Sequence, residues 1–319
     1  MLAKRALVLG ATGGIGSETV AALRRHGWRV TAMARHPATG PVAQIADDVD
    51  WVIGDAMSAD DVRRAADGVQ VIVHAVNPPG YRDWDKLVLP MIDNTIAAAR
   101  ATGARIVLPG TIYNYGPDAF PDLTEDAPQR PVTEKGRIRV ALERRLQEAS
   151  ATGLGVLVVR FGDFFGPQAG NTWFGQGLVT PGKRLRFVTY PGRKGVGHAW
   201  AYLPDAAETI ARLLDRAEDL EPFARFHFEG VWDPDGTLMP RAIATALGRP
   251  ALRVRPLPWA LLHLAGLFDT TAREICRMRY LWRRSIRLDN RRLVAFLGEE
   301  PRTPLPQAVG ATLAGLRVR

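Results

Sequence analysis

The chain has 319 residues, 46% of them hydrophobic and 24% charged, and carries a formal net charge of +9. That length suits one large domain or two interleaved ones, and the composition excludes a disordered or fibrous protein. The apolar run near the amino end is too short for a signal peptide, and residues 256–268, interrupted by Pro258 and His263, are too short for a membrane span.

Cys276 is the single cysteine, so no internal disulfide forms. The expectation is a cytoplasmic protein with no membrane partner. The positive balance raises nucleic acid as a partner, but much of the excess falls at residues 273–292, where eight arginines face only Glu274 and Asp289. This run has helical spacing broken by Leu281, Trp282 and Ile286. It reads as a solvated helix face or a wall over an anionic ligand, and nucleic acid is disfavoured.

In chain order, residues 5–10 predict a short buried strand ending in glycine. Residues 17–26 carry apolar side chains at helical spacing and stop at Gly27. Further strands are predicted at 28–34, 51–53, 69–73 and 105–108, with helices at 58–66 and 86–101. An amphipathic helix at 134–149, a buried strand at 155–160, a helix at 205–217 and a strand at 225–229 follow. Such alternation predicts an α/β Rossmann fold, a doubly wound parallel sheet with right-handed crossovers. Residues 171–202, rich in glycine, proline and aromatics, and residues 239–292 predict a smaller interleaved cap over the sheet. The expected division is a dinucleotide-binding Rossmann domain at 1–168 and, at 169–319, mainly a substrate-binding cap, with about 203–230 returning to the sheet.

Between the first strand and helix lies Gly10-Ala11-Thr12-Gly13-Gly14-Ile15-Gly16. Gly10 permits a tight turn, Gly13 lets backbone approach a pyrophosphate, and Gly16 lets the helix pack on the sheet. Phosphates then meet the helix N-terminus, where free N–H groups favour negative charge. The whole turn, including Thr12, Gly14 and Ile15, is therefore assigned to cofactor binding. Dinucleotide readers selective for NAD place a carboxylate after the second strand, but here that strand ends in Arg35-His36. A guanidinium suits a 2′-phosphate, which favours NADP over NAD.

These residues resemble the extended and atypical branches of the short-chain dehydrogenase/reductase superfamily, the NAD(P)-dependent epimerase/dehydratase group. The likeness runs over nearly the whole chain. It takes in the glycine turn, Gly54-Asp55, His74-Ala75, Asn94, Tyr115-Gly116, Arg160 with Gly166-Pro167, and the ending Pro301-Arg302-Thr303-Pro304. The resemblance implies cofactor contacts at Asp55, Ala56, Ala75 and Val76. It also implies a catalytic Ser/Thr followed by Tyr-x-x-x-Lys on a helix. Thr111 stands at the hydroxyl position, but Lys135-Gly136-Arg137-Ile138-Arg139 replaces the tyrosine motif.

That helix is similar to the isoflavone-reductase-like members, in which a lysine at this place is the proposed acid/base group and NADPH the donor. Lys135 is accordingly the candidate catalytic and cofactor-side group. A lysine desolvated beside a cofactor exchanges protons more readily, whereas a solvated one on a first helical turn merely opposes the dipole. Tyr113 is the alternative phenol, and Tyr115 reads as a packed ring. His74, at the sheet's carboxyl edge, reads equally as structural or ligand-facing. The loop 77–81, His198 and Trp200 are candidate substrate neighbours, and Asp205 reads as an N-terminal helix residue.

The expected function is an NADP-dependent reductase of a small organic carbonyl or conjugated substrate. Two alternatives stay open: an epimerase or dehydratase with no net redox change, and a non-catalytic dinucleotide sensor of the NmrA type. A homodimer is one arrangement considered.

Overall fold

Strand β1 (Arg5–Leu9) shows why the chain folds in layers. Ala6 and Val8 project into one hydrophobic core, while Leu7 and Leu9 project into another on the opposite face. A strand buried on both faces must be apolar at every position, so its sequence runs Ala-Leu-Val-Leu without alternation. The computed structural model describes residues 4–36, 49–78, 83–169 and 172–319.

The first half contains α1 (Gly14–Arg25), β2 (Arg29–Ala34), β3 (Val49–Ile53), α2 (Ala59–Ala65), β4 (Val71–His74), α3 (Trp84–Thr102) and β5 (Arg105–Gly110). It continues with β6 (Asp122–Leu123), α4 (Glu134–Ala151), β7 (Val156–Arg160) and β8 (Asp163–Phe165). The second half holds β9 (Val188–Tyr190), β10 (His198–Tyr202), α5 (Leu203–Asp215), β11 (Phe223–His227), β12 (Val231–Asp233) and α6 (Leu238–Ala246). Then come β13 (Val254–Pro256), α7 (Trp259–Ala265), α8 (Thr270–Arg277), β14 (Arg287–Leu288), α9 (Arg291–Leu297) and α10 (Leu305–Gly315).

Seven strands form one parallel sheet in the order β11-β7-β5-β4-β1-β2-β3. Helices α1 and α5 cover one face through Val20, Leu23, Ile210 and Leu214. Helices α2, α3 and α4 cover the other through Val62, Ile92, Leu142 and Leu146. Each such side chain, fully buried, contributes about 1.5–3 kcal/mol. The strand order reverses between β1 and β4, and there a doubly wound sheet opens a crevice at its carboxyl edge.

A third core, built on Phe165, Phe174, Trp200 and Trp282, holds the cap elements together. Here β10 pairs in parallel with β8 and antiparallel with β12. Two further parallel pairs, β9 with β13 and β6 with β14, stitch distant segments. Of these short strands, β9, β13 and β14 fall in the two stretches expected to form the cap, and β6 lies outside them.

The arginine-rich run is not one helix. It is divided among α8, a short 3-10 helix, β14 and α9. Four of its eight arginines pair with carboxylates: Arg277 with Glu274, Arg287 with Glu229, Arg291 with Asp289, and Arg292 with Asp126. Seven of its eight arginines are nonetheless exposed, so the run is solvated but spread over several elements instead of one helix face. Helix α1 also begins three residues earlier than its apolar spacing predicts, because the turn ends at the extended N-cap Gly13.

One buried ion pair fixes α4 against the sheet. Arg160 at the end of β7 donates to Glu143 of α4 at 2.7 Å, and both side chains are buried. Removing one partner of such a pair strands a charge in low dielectric. Glu143→Ala is expected to destabilise the protein by about 3–5 kcal/mol, read as a lower urea midpoint.

Candidate active site

A cleft of about 430 Å³ lies along the carboxyl edge of the sheet. Loops after β1, β2, β3, β4, β5 and β7 all contribute to its lining. Its Arg35 end and its Thr111 end follow β2 and β5, which are three strand spacings apart in the sheet, about 14 Å. Gly10, Thr12, Gly13, Gly14, Ile15, Arg35, Asp55, Ala56, Ala75, Val76, Thr111 and Tyr113 line it. Of the loop 77–81, Asn77 and Pro78 line it, and the remainder lies outside the described residues.

The glycine turn fits a pyrophosphate. Gly10 has φ +78°, and a Cβ there would meet the Ala75 carbonyl oxygen at 2.7 Å. Gly16 lies under the turn, where a Cβ would stand 2.2 Å from the Gly10 oxygen. Gly13 is exposed on the cleft side, and a Cβ there would meet only the Gly10 oxygen, at 3.3 Å. An anion can thus approach the start of α1 along bare backbone.

Arg35 is exposed at the end of β2. Asp55 is held on its loop: its carboxylate accepts from the Met57 N–H at 3.0 Å and its own N–H donates to Asp61 at 3.0 Å. Asn94 of α3 donates to the Ala56 carbonyl at 2.9 Å, fixing the same loop from below.

At the other end, β5 delivers Thr111 and Tyr113. Thr111 caps a 3-10 turn, its hydroxyl accepting weakly from the Tyr113 N–H at 3.4 Å, while its carbonyl accepts from Arg160 at 2.5 Å. His74 is buried beside them. Thr95 uses its hydroxyl hydrogen on the Met91 carbonyl at 3.0 Å, so at 2.8 Å it accepts from His74 Nδ1. Nε2 is then an acceptor, and burial, aided by Arg139, drives the imidazole down to about 3. His74 is a neutral acceptor and not an acid.

Lys135 stands on the first turn of α4, with its ammonium paired to Glu274 of α8 at 3.3 Å. It lies over the Trp84 ring at 5.6 Å and is not among the residues lining the cleft. Burial lowers its pKa to about 8, against the opposing pull of Glu274. One turn further on, Arg139 does line the cleft. It is buried, donates to Asn77 Oδ1 at 2.9 Å and stacks over the same Trp84 ring at 5.0 Å. Arg139 was readable as the residue four after Lys135, the spacing that puts two side chains on one helix face. Trp84, Asp163 and Trp173 also line the cleft, and no sequence signal marked them.

Other candidates fall away from it. Tyr115 is a buried ring whose hydroxyl meets His227 Nε2 at 3.2 Å. His198 stacks on Trp282 at 3.8 Å and touches the cleft only through Asp163, which accepts from its Nε2 at 2.8 Å. Trp200 is fully buried in the cap core. Asp205 accepts from the Thr303 N–H at 2.7 Å and hydroxyl at 2.6 Å, tying the tail to α5.

A parallel sheet with a glycine turn and a cleft at its switch point defines a Rossmann dinucleotide-binding protein. More particularly, the chain belongs to the NAD(P)H-binding family, whose profile matches residues 10–175. Among relatives, it is 32% identical over 184 residues to a 3-diazoavenalumate denitrifying reductase of a Streptomyces species, covering 52% of this chain and 58% of that one. It is 25% identical over 240 residues to an epimerase family protein of Staphylococcus aureus, covering 69% and 74%. Solved structures share the fold. MoeE5 in complex with UDP-glucose and NAD superimposes with a TM-score of 0.74 at 22% identity, over 98% of both chains. UDP-glucose 4-epimerase from Bifidobacterium longum gives 0.76 at 15% identity, again over 98% of both.

Gly13→Val is expected to abolish dinucleotide binding in titration while leaving the circular dichroism spectrum unchanged. Gly16→Val, pressed against the Gly10 carbonyl, is expected to lose the fold as well.

Proposed function

We propose that the protein is an NADP-dependent reductase of a small organic carbonyl or conjugated substrate. Residues 10–16 would hold the pyrophosphate, Asp55 and Ala56 the adenine side, and Arg35 the 2′-phosphate. When bound, the dinucleotide supplies hydride chemistry. The chain's own residues place the substrate and move the proton.

The observation that carries the reading is the grouping of Thr111, Tyr113 and Arg139 at one end of the cleft. Thr111 offers a hydroxyl to the reacting oxygen, and Tyr113 offers a phenol proton. Arg139, which interacts favourably with Tyr113, supplies a fixed cation to steady developing negative charge. Trp84 walls the site and carries Arg139 on its face.

A second assignment of the proton has its own observation, the lowered pKa of Lys135 at about 8. Such a lysine would donate while protonated, so turnover would fall as pH rises through about 8. Tyr113→Phe is expected to cut kcat by about 10²–10⁴-fold with NADPH affinity nearly unchanged, and Lys135→Met to cost less than about tenfold. If instead Lys135→Met produces the large loss and removes a descending limb near pH 8, the proton belongs to Lys135. Turnover without net change in nucleotide absorbance would move the protein to the epimerase class.

Cofactor choice is tested separately. Arg35→Ala is expected to weaken NADPH binding by about tenfold or more, the worth of a charge-assisted contact, and to leave NADH binding nearly unchanged. Equal losses for both would remove the NADP assignment.

A further inference from the structure

The segment from β13 to the start of α8 leaves a row of large apolar side chains in water. Leu261, Leu264 and Leu267 are 66%, 60% and 67% exposed, and Phe268 is 90% exposed. Leu261 and Leu264 share one face of α7, whose opposite side carries the half-buried Trp259, and Leu267 and Phe268 follow directly after its end. A contiguous apolar row of this kind on a folded surface marks a contact site.

Its flanking segments are basic, and the nearest acid in sequence is Asp269, which caps α8. Residues 181–196 and 249–268 contain eight lysines and arginines and no aspartate or glutamate, against a net charge of +9 for the whole chain. Pairing of β9 with β13 sets the two segments side by side. Arg255 lies over the Phe187 ring at 4.3 Å, and Arg279 over Trp259 at 5.0 Å, at the start of α7. Arg273 donates to the Gly266 carbonyl at 2.9 Å, just past the end of α7. The apolar row is thus bracketed by guanidinium groups.

Three occupants differ in how they meet this pattern. A second copy across a two-fold axis would set the basic flanks against themselves. Nucleic acid would answer the charge but leave the leucines facing phosphate. A bilayer with anionic headgroups answers both, taking the apolar row into the acyl boundary while phosphates neutralise the rim. The expectation of no membrane partner rested on span length, and among the described residues no helix is long and apolar enough to cross a membrane. Span length does not bear on a helix lying in the interface plane.

We propose that this face docks the protein on an anionic membrane surface, with Leu261, Leu264, Leu267 and Phe268 inserted and the basic flanks of β9 and β13 on the headgroups.

The test is co-sedimentation of the full chain with vesicles of phosphatidylcholine alone and of phosphatidylcholine mixed with phosphatidylglycerol, at low and high salt. Binding should favour the anionic vesicles by about tenfold or more and weaken with salt. The double substitution Leu264→Glu with Phe268→Glu should lose that binding by about tenfold or more while dinucleotide affinity is retained, which shows an intact fold. Absence of vesicle binding by the unaltered chain overturns the proposal. So does vesicle binding that the double substitution leaves unchanged. So does self-association in sedimentation equilibrium that the same substitution abolishes without lipid, or duplex DNA binding in place of lipid binding.

Discussion

The site hangs on a single buried guanidinium. Arg160 closes β7 and faces three elements at once: the Thr111 carbonyl after β5, Glu143 on α4, and the Tyr115 ring at 5.0 Å. Burial works against its charge, but Glu143 and Tyr115 outweigh that and hold the proton more firmly than usual. The network runs on outward. Glu143 accepts from Gln129 at 3.1 Å, whose amide oxygen accepts from Asn114 at 3.0 Å. His227 donates through Nδ1 to the Leu123 carbonyl at 3.1 Å, which leaves Nε2 to accept from Tyr115. A charge in this position tolerates little displacement, because each donor left without its acceptor costs about 1–3 kcal/mol. Segment 111–115 and the first turns of α4 are therefore placed by polar geometry, and hydrophobic contact alone would leave them free to slide.

Much of the Rossmann half could be read from residue pattern because its rules are local. Strand β1 is apolar from Ala6 to Leu9 since both faces are covered, and the glycine turn repeats every three residues because backbone, helix and ligand crowd the same point. The cap obeys no such rule. Apart from β10 its strands are two or three residues long, and their partners are remote, as in Arg287 opposite Asp122. The arginine run hides its pairings for the same reason. Glu229 and Asp126, which neutralise Arg287 and Arg292, are distant in sequence and adjacent only after folding.

Within the site, residue type was easier to read than residue position. Lys135 was visible as a departure from Tyr-x-x-x-Lys, yet its pairing with Glu274 depends on a helix more than a hundred residues later. That contact joins α4 to the cap. Both the Lys135 cation and that of Arg139 lie over the Trp84 ring, and of the two only Arg139 lines the cleft. The positive charge in the cleft wall is that of Arg139, at the place of the motif's lysine, and Tyr113 is a phenol on the cleft.

Asp205 and Thr303 carry a wider meaning. Through that contact the tail is fastened to the helix that covers the sheet, and β11 completes the sheet only after the first cap segments have been laid down. The cap is threaded through the scaffold and is not appended to it. A lineage of such proteins cannot trade specificity by exchanging a cassette, since cutting out the cap would also remove an edge strand and a covering helix. New substrates must be reached by replacing side chains in place, one cleft wall at a time, on a backbone already committed to both tasks.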